Sequence, residues 1–218
     1  MIILEDIERW ARAEFETKNA AREQALSRSR ELTRTCANTI RAVHRRDFDQ
    51  ARALLATARE LSERLTANLA PYPDLFYTGY VQDAQKEFVE ATYTLSILSG
   101  EPLPLPETLG VAAAPFLNGL AETVGELRRY VLDMLRRGEL DGSDALLQTM
   151  DDIYSLLVTI DYPDALTGGL RRTTDLTRGI LERTRGDLTF ALRQHDLETS
   201  LARVEQQIRG ALRGPEAG

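Results

Sequence analysis

Apolar side chains recur along this chain at intervals of three and four residues, the period that places them on one face of an α-helix. Leu32, Cys36, Ile40 and Val43 are spaced four, four and three apart. Ala84, Phe88, Ala91, Leu95 and Leu98 alternate four and three, and so do Leu117, Leu120, Val124, Leu127, Val131 and Met134. One-sided stripes of this alternating kind suit helices packed nearly antiparallel in a bundle. No convincing strand alternation interrupts them. The pattern predicts an all-α fold, a bundle of about seven helices with a long first helix.

The breaks place those helices at about 2–44, 48–70, 72–98, 112–137, 142–159, 163–194 and 196–212. Asp47 is the expected N-cap of the second, and Pro71 and Pro73 separate the second from the third. Ser99–Gly110, with prolines at 102, 104 and 106, is the one clear loop. Gly138 and Gly142 bracket the next turn, and Asp161–Asp164 makes another with Asp164 as a cap. Gly168, Gly169 and Gly186 weaken the case for an unbroken sixth helix. No linker interrupts the pattern, so residues 1–212 are expected to form one domain and 213–218 a disordered tail. At about 1.5 Å per residue the first helix would be about 60 Å long, more than a compact bundle can cover. It therefore bends, docks part of its face on another subunit, or frays as an arm. Trp10 and Phe15 are expected to anchor that arm, and Tyr93 and Tyr154 to sit in the core.

Composition narrows the classes of function. Of 218 residues 43% are hydrophobic, which excludes wholesale disorder. No stretch approaches the roughly 18 apolar residues of a membrane span, and Glu5 and Asp6 are unlike a secretory leader. The expectation is a cytoplasmic protein without a membrane partner. The single cysteine, Cys36, excludes an intramolecular disulfide and a cysteine-based zinc site. His44 and His195 lie far apart in sequence, which disfavours a histidine metal site. The net charge is −7, yet Arg22–Arg46 carries seven arginines against two acids. Such asymmetry suits a polyanion-binding surface on an acidic body. All basic residues but Lys18 and Lys86 are arginine, which pairs bidentately with phosphate; genome composition accounts for the bias equally well.

Asp83, Glu87 and Glu90 sit at i, i+4 and i+7, within about 60° of one another on one helix face. They border the Ala84–Phe88–Ala91–Leu95 stripe, where like charges are costly without a cation. Glu122 and Glu126 form a second acidic pair, with Asp133 a heptad beyond Glu126. By helical angle this pair points away from the main apolar seam. Oxygen-only ligands from two helices suit Mg²⁺ or Mn²⁺ rather than zinc, and such an ion activates water and polarises a phosphodiester. An acidic stripe is also what a solvated helix face looks like, so spacing alone leaves both readings open. There is no phosphate loop, no dinucleotide fingerprint and no Glu-x-x-His di-iron motif. A Cys36–His44 nucleophile pair lies two helical turns apart with nothing to orient it, and Cys36 reads as packing.

An ordered set of segments resembles the translin superfamily, in particular its translin-associated protein X branch. They are Ser29-Arg30-Glu31-Leu32-Thr33 leading to Val43-His44-Arg45, then Glu87-Phe88-Val89-Glu90-Ala91. Phe116-Leu117-Asn118-Gly119-Leu120-Ala121-Glu122 follows, then Gly125-Glu126-Leu127-Arg128-Arg129 and Leu181-Glu182-Arg183-Thr184-Arg185-Gly186. The order and approximate spacing hold from about Ser27 to Gly186. The resemblance implies a seven-helix bundle assembled into a hollow oligomer, an octamer or hexamer, that encloses single-stranded RNA or DNA. It also implies a Mg²⁺-dependent endoribonuclease site. Carried over by motif, the catalytic, metal-holding acids are Glu87, Glu90 and Glu122, with Glu126 a further metal ligand or a neighbour of the site.

Two departures accompany the match. The third acid is aspartate in the family, one methylene shorter than Glu122. The basic stretch that translin carries before the centre of this helix is absent, since Tyr72–Gln82 holds no lysine or arginine. Nucleic-acid contacts must come from elsewhere: Arg30, Arg34, Arg41, Arg45 and Arg46 on the first helix and its end, or Arg171 and Arg172. A catalytically silent nucleic-acid-binding protein and a helical scaffold are the alternatives to a nuclease.

Overall fold

In the computed structural model, which describes residues 3–212, the chain forms eight α-helices and one 3-10 turn. The helices are α1 (Leu4–His44), α2 (Phe48–Leu69), α3 (Pro73–Phe76) and α4 (Gly79–Ser99), then α5 (Ala113–Arg136), α6 (Ser143–Val158), α7 (Asp164–Thr167) and α8 (Leu170–Leu212). The 3-10 turn, Pro106–Leu109, lies in the proline-rich loop between α4 and α5. No described residue is in a strand. No described helix is long and apolar enough to cross a membrane. The expected tail 213–218 lies outside the described residues.

The apolar stripes form the core as their spacing requires. Leu32 and Cys36 of α1, Leu65 of α2, Phe88 and Val89 of α4, and Val124 and Leu127 of α5 are fully buried in one cluster. Helix α1 packs on α2 and α4, α4 on α5, and α5 on both α6 and α8, so α4 and α5 lie at the middle of the bundle. Tyr93 is buried and donates its hydroxyl to the Pro104 carbonyl at 2.7 Å. The α1–α2 turn is closed by Arg46 N–H to Val43 O and Asp47 N–H to Ala42 O, the pair of bonds of a Schellman ending. Asp47 then caps α2, its side chain accepting from Gln50 N–H at 3.2 Å.

Three expectations are corrected. The helix predicted over 72–98 is split: one turn, α3, ends at Tyr77, and extended Thr78 starts α4. The Gln82 amide, bonded to the Phe76 carbonyl at 3.0 Å, takes up a backbone acceptor at this break. The predicted 163–194 helix breaks at Gly168 and Gly169, whose φ values of 62° and 83° are left-handed and disfavoured for other residues. Beyond them α8 runs 43 residues without the stop predicted near 195. Trp10 and Phe15 are not packed against the described residues, being 68% and 69% exposed. The N-terminal half of α1 and the C-terminal part of α8 both project from the bundle. Ala25 is the first buried residue of α1 and Leu188 the last buried residue of α8 among those whose burial is described.

Candidate metal centre

The acidic site depends on how closely α4 and α5 approach. Gly119 of α5 faces α4, and a Cβ there would stand 2.4 Å from the Lys86 carbonyl oxygen and 2.9 Å from Val89 Cβ. Thr123, one turn on, is fully buried and returns its hydroxyl to the Gly119 carbonyl at 3.0 Å. Helix α5 thus has a second buried face, made of small residues. Glu122 and Glu126 border this face and turn toward α4 and α1. They point away from the main apolar seam, as their helical angle requires, and this second packed face brings them to α4 and α1.

On the opposing face of α4, Glu87 and Glu90 meet them. Glu87, Glu90 and Glu122 each offer a carboxylate oxygen, and these oxygens all lie within 4.8 Å of one another. Glu90 is 9% exposed and accepts no hydrogen bond from any described residue. Burial first, then the charges of Glu87, Glu122 and Glu126, push its carboxyl up to about 8 against the opposing pull of Lys86. Glu87 is raised for the same kind of reason: burial, then Glu122, with Asp83 and Glu126 adding to it and Lys86 opposing. Lys86 Nζ donates to Glu122 Oε1 at 2.7 Å. Burial works against its charge, but Glu122, Asp83 and Glu87 together outweigh burial and hold the ammonium above its ordinary value.

Glu126 belongs to the same cleft but is held differently. Its Oε2 is bonded to His44 Nε2, reaching across from α1, and lies 3.7 Å from Arg129 Nη1. His44 Nδ1 is buried without a partner. The converging trio is therefore Glu87, Glu90 and Glu122, with Glu126 alongside. Asp83 is exposed one turn before Lys86, and Asp133 lies outside the site, paired with Arg136 at 3.1 Å.

A cleft of about 490 Å³ opens over these groups between α4, α5 and the start of α8. Glu90, Glu122 and Glu126 line one side, and Gly168, Arg172 and Thr173 the other. Of the seven arginines expected to contact nucleic acid, Arg172 is the one that lines this cleft. Arg171 pairs with Asp161 at 2.9 Å, and Arg30 and Arg34 share an exposed stretch of α1 with Glu23 and Glu31. Arg41 donates to Asn38 and Arg45 to Gln50, each at 2.7 Å. Arg46, at φ 60°, pairs with Glu139 and lies 5.6 Å from the Tyr130 ring centre, which ties the α1–α2 turn to the end of α5. A larger cleft between α4, α5 and α6, about 930 Å³, is mainly apolar and contains only Glu107 and Asp152 as charged residues.

The donor set fits a hard divalent cation. Three carboxylates converge, one of them buried and unpartnered, and such ions take oxygen ligands. Cys36, fully buried beneath α4, has its thiol pushed up by burial and by Glu87 and Glu90, so it is no nucleophile. Sequence reasoning missed two participants. Lys86 was legible as one of two lysines in an arginine-rich chain, lying next to Glu87. His44 reaches Glu126 across 82 residues, a pairing no local spacing reveals.

No family model matches the chain. It is similar to an uncharacterised protein of Methanocaldococcus jannaschii, 35% identical over 190 residues that take in 86% of this chain and 84% of that protein. Among solved structures it resembles AfC3PO in a complex with duplex RNA, with a TM-score of 0.78 and 36% identity over 85% of this chain and 96% of that one. The crystal structure of AfC3PO alone gives 0.78 and 35% identity over 85% and 97% of the two chains. The fold is also that of apo-NeC3PO, with a TM-score of 0.76 at 20% identity over 88% of this chain and 98% of that one. With C3PO proteins of the translin family matched over nearly their whole length, the chain belongs to the translin superfamily.

Proposed function

We propose that this protein binds RNA inside a homo-oligomer and cleaves it at the Glu87–Glu90–Glu122 cluster with Mg²⁺ or Mn²⁺. The observation that carries the reading is the convergence of these three carboxylates within 4.8 Å around buried, unpartnered Glu90. Glu87, Glu90 and Glu122 would hold the ion, which when bound supplies an activated water and polarises the scissile phosphate. His44 holds Glu126 beside the trio, so that this fourth carboxylate is oriented toward the cleft wall. Arg172 faces the acids across the cleft, where a phosphate would need a cation. The nucleophile is water, since no side chain at the site is activated for attack.

Single-stranded RNA or DNA is the ligand class that the family resemblance implies, and AfC3PO in its complex with duplex RNA supports an RNA ligand. Assembly is supported by the projecting helices: Leu197, Leu201, Val204 and Ile208 of α8 are each at least 50% exposed and repeat at four, three and four. That is the spacing of a helix-packing seam without a partner among the described residues. A catalytically silent RNA-binding protein is the second reading, favoured by the Lys86–Glu122 ion pair, which partly neutralises the cluster without metal. Incubation of labelled single-stranded and duplex RNA with Mg²⁺ and with EDTA, beside Glu87→Gln, separates the two. Binding without metal-dependent cleavage supports the silent protein; cleavage that survives both EDTA and Glu87→Gln removes these acids from the mechanism.

A further inference from the structure

The chain uses lysine twice and arginine for its other basic residues, and one of the two lysines stands within the carboxylate cluster. Lys18 pairs with Asp74 on the surface. Lys86 is different: 23% of its side chain is exposed, and its Nζ is 2.7 Å from Glu122 Oε1. Glu122 is also the one member of the trio contributed by α5, so a cation bridging the two helices must draw an oxygen from the carboxylate that Lys86 holds. An ammonium in hydrogen-bond contact with Glu122 and a divalent ion on the same group would face each other as like charges at short range.

The chemistry of the residue suits departure. Lysine is a compact point charge on a flexible four-carbon stem, whereas arginine grips a carboxylate through a rigid fork. A second acceptor stands within reach on the same helix. Asp83 lies three residues before Lys86, a neighbouring position on the helix surface, and is exposed.

We infer that Lys86 is the resident counter-ion of this cluster and competes with the divalent cation for Glu122, so that metal enters as the ammonium swings away toward Asp83. The inference rests on the metal reading proposed above. Without metal, Lys86 offsets the repulsion among the facing carboxylates and keeps α4 and α5 together. With metal, the ion takes over that task. Occupancy of the site is thereby set by a contest between an internal cation and an external one.

Mn²⁺ alone is the probe, titrated calorimetrically into the full-length wild type, Lys86→Met, Lys86→Gln and Lys86→Arg. Removing the competitor raises the fraction of binding-competent protein, so both neutral variants should bind Mn²⁺ about tenfold tighter or more. Lys86→Arg, which keeps the charge, should bind no tighter than wild type. The metal-free melting temperature of the neutral variants should fall while their Mn²⁺-induced rise grows. If Lys86→Met fails to fold, Lys86→Gln carries the comparison. Equal or weaker Mn²⁺ affinity in the neutral variants overturns the competition and leaves the metal site standing. Absence of Mn²⁺ binding in all four proteins overturns the metal site itself, and the competition with it.

Discussion

The α-carbon of Gly119 faces the carbonyl oxygen of Lys86 so closely that a Cβ on it would stand 2.4 Å away. The blocking atom belongs to the backbone and cannot rotate aside, so Gly119→Ala must push α5 off α4. Alanine gains about 1 kcal/mol of helix propensity over glycine, but overpacking costs about 1–3 kcal/mol. The net expectation is a destabilised protein whose Mn²⁺ affinity falls, because the two halves of the carboxylate trio have separated. Urea unfolding and a Mn²⁺ titration check the pair of effects. Unchanged metal affinity would mean that the helix approach does not set the geometry of the site.

Glu87→Gln and Glu122→Asp test the acids from opposite directions. The first removes a ligand charge with little change of volume, and cleavage should fall by orders of magnitude because metal activation is the main source of rate. RNA affinity should hold or rise, since a negative charge near the phosphates has gone. The second supplies the acid that the family carries at this position and should keep cleavage, with weaker Lys86 contact from the shorter arm. Single-turnover cleavage beside filter binding separates the two effects. Equal behaviour of both variants and the wild type would assign the acids a structural role.

Arg172 should contribute to RNA binding where Arg46 does not. Each phosphate neutralised in single-stranded nucleic acid adds roughly −0.7 to the slope of log affinity against log salt. Arg172→Ala should flatten that slope by about one such increment, because Arg172 lines the acidic cleft. Arg46→Ala should leave it unchanged and lower stability, because Arg46 is spent on Glu139 and Tyr130. Affinity measured across a salt series decides. The opposite pattern would move the RNA path to the far side of α1.

The exposed seam of α8 should govern assembly. Leu201→Asp together with Val204→Asp places two charges in the stripe that has no partner among the described residues. Light scattering should then report a smaller species than the wild type, with helix content retained in circular dichroism. A wild type that is already monomeric at micromolar concentration would remove the enclosed oligomer from the proposal.

Much of the bundle was legible because large apolar residues at helical spacing must be buried, and Leu32, Cys36, Phe88 and Leu127 are. The acid trio was legible in part. Glu87 and Glu90 border such a stripe, so their placement followed from it. Glu122 and Glu126 were named by the family motifs but did not follow from apolar spacing, because the face of α5 beside them is packed through Gly119 and Thr123, small residues that carry no hydrophobic signal. The stop near 195 was wrong for a related reason. The residues beyond it form a seam that the bundle never buries, and a helix can continue past the core that specifies its start. His44 with Glu126, and Lys86 with Glu122, are contacts between helices, and only the packing of α1, α4 and α5 reveals them.

The pH dependence of stability should carry the signature of Glu90. Its carboxyl is raised from 4.5 to about 8, mainly by burial and then by Glu87, Glu122 and Glu126. Between those values the folded protein keeps a proton that the unfolded chain has already lost. The folded state therefore binds more protons, and stability falls as pH rises through this window, by up to about 1.4 kcal/mol per pH unit for one full proton. Below about 4.5 and above about 8 this contribution is flat. Asp74 and Glu139 are lowered by Lys18 and Arg46 and act below the ordinary carboxylate range, outside the window. Glu87, raised by burial and then by Glu122, adds a contribution of the same sign, so Glu90→Gln should reduce the slope without abolishing it and make the metal-free protein more stable than wild type at pH 8. Urea midpoints of the metal-free proteins at pH 5, 6.5 and 8 measure it. A wild type whose midpoint rises over this range, or a Glu90→Gln variant with the same slope, would show that Glu90 is ionised in the folded protein and that the cluster is charged before any metal arrives.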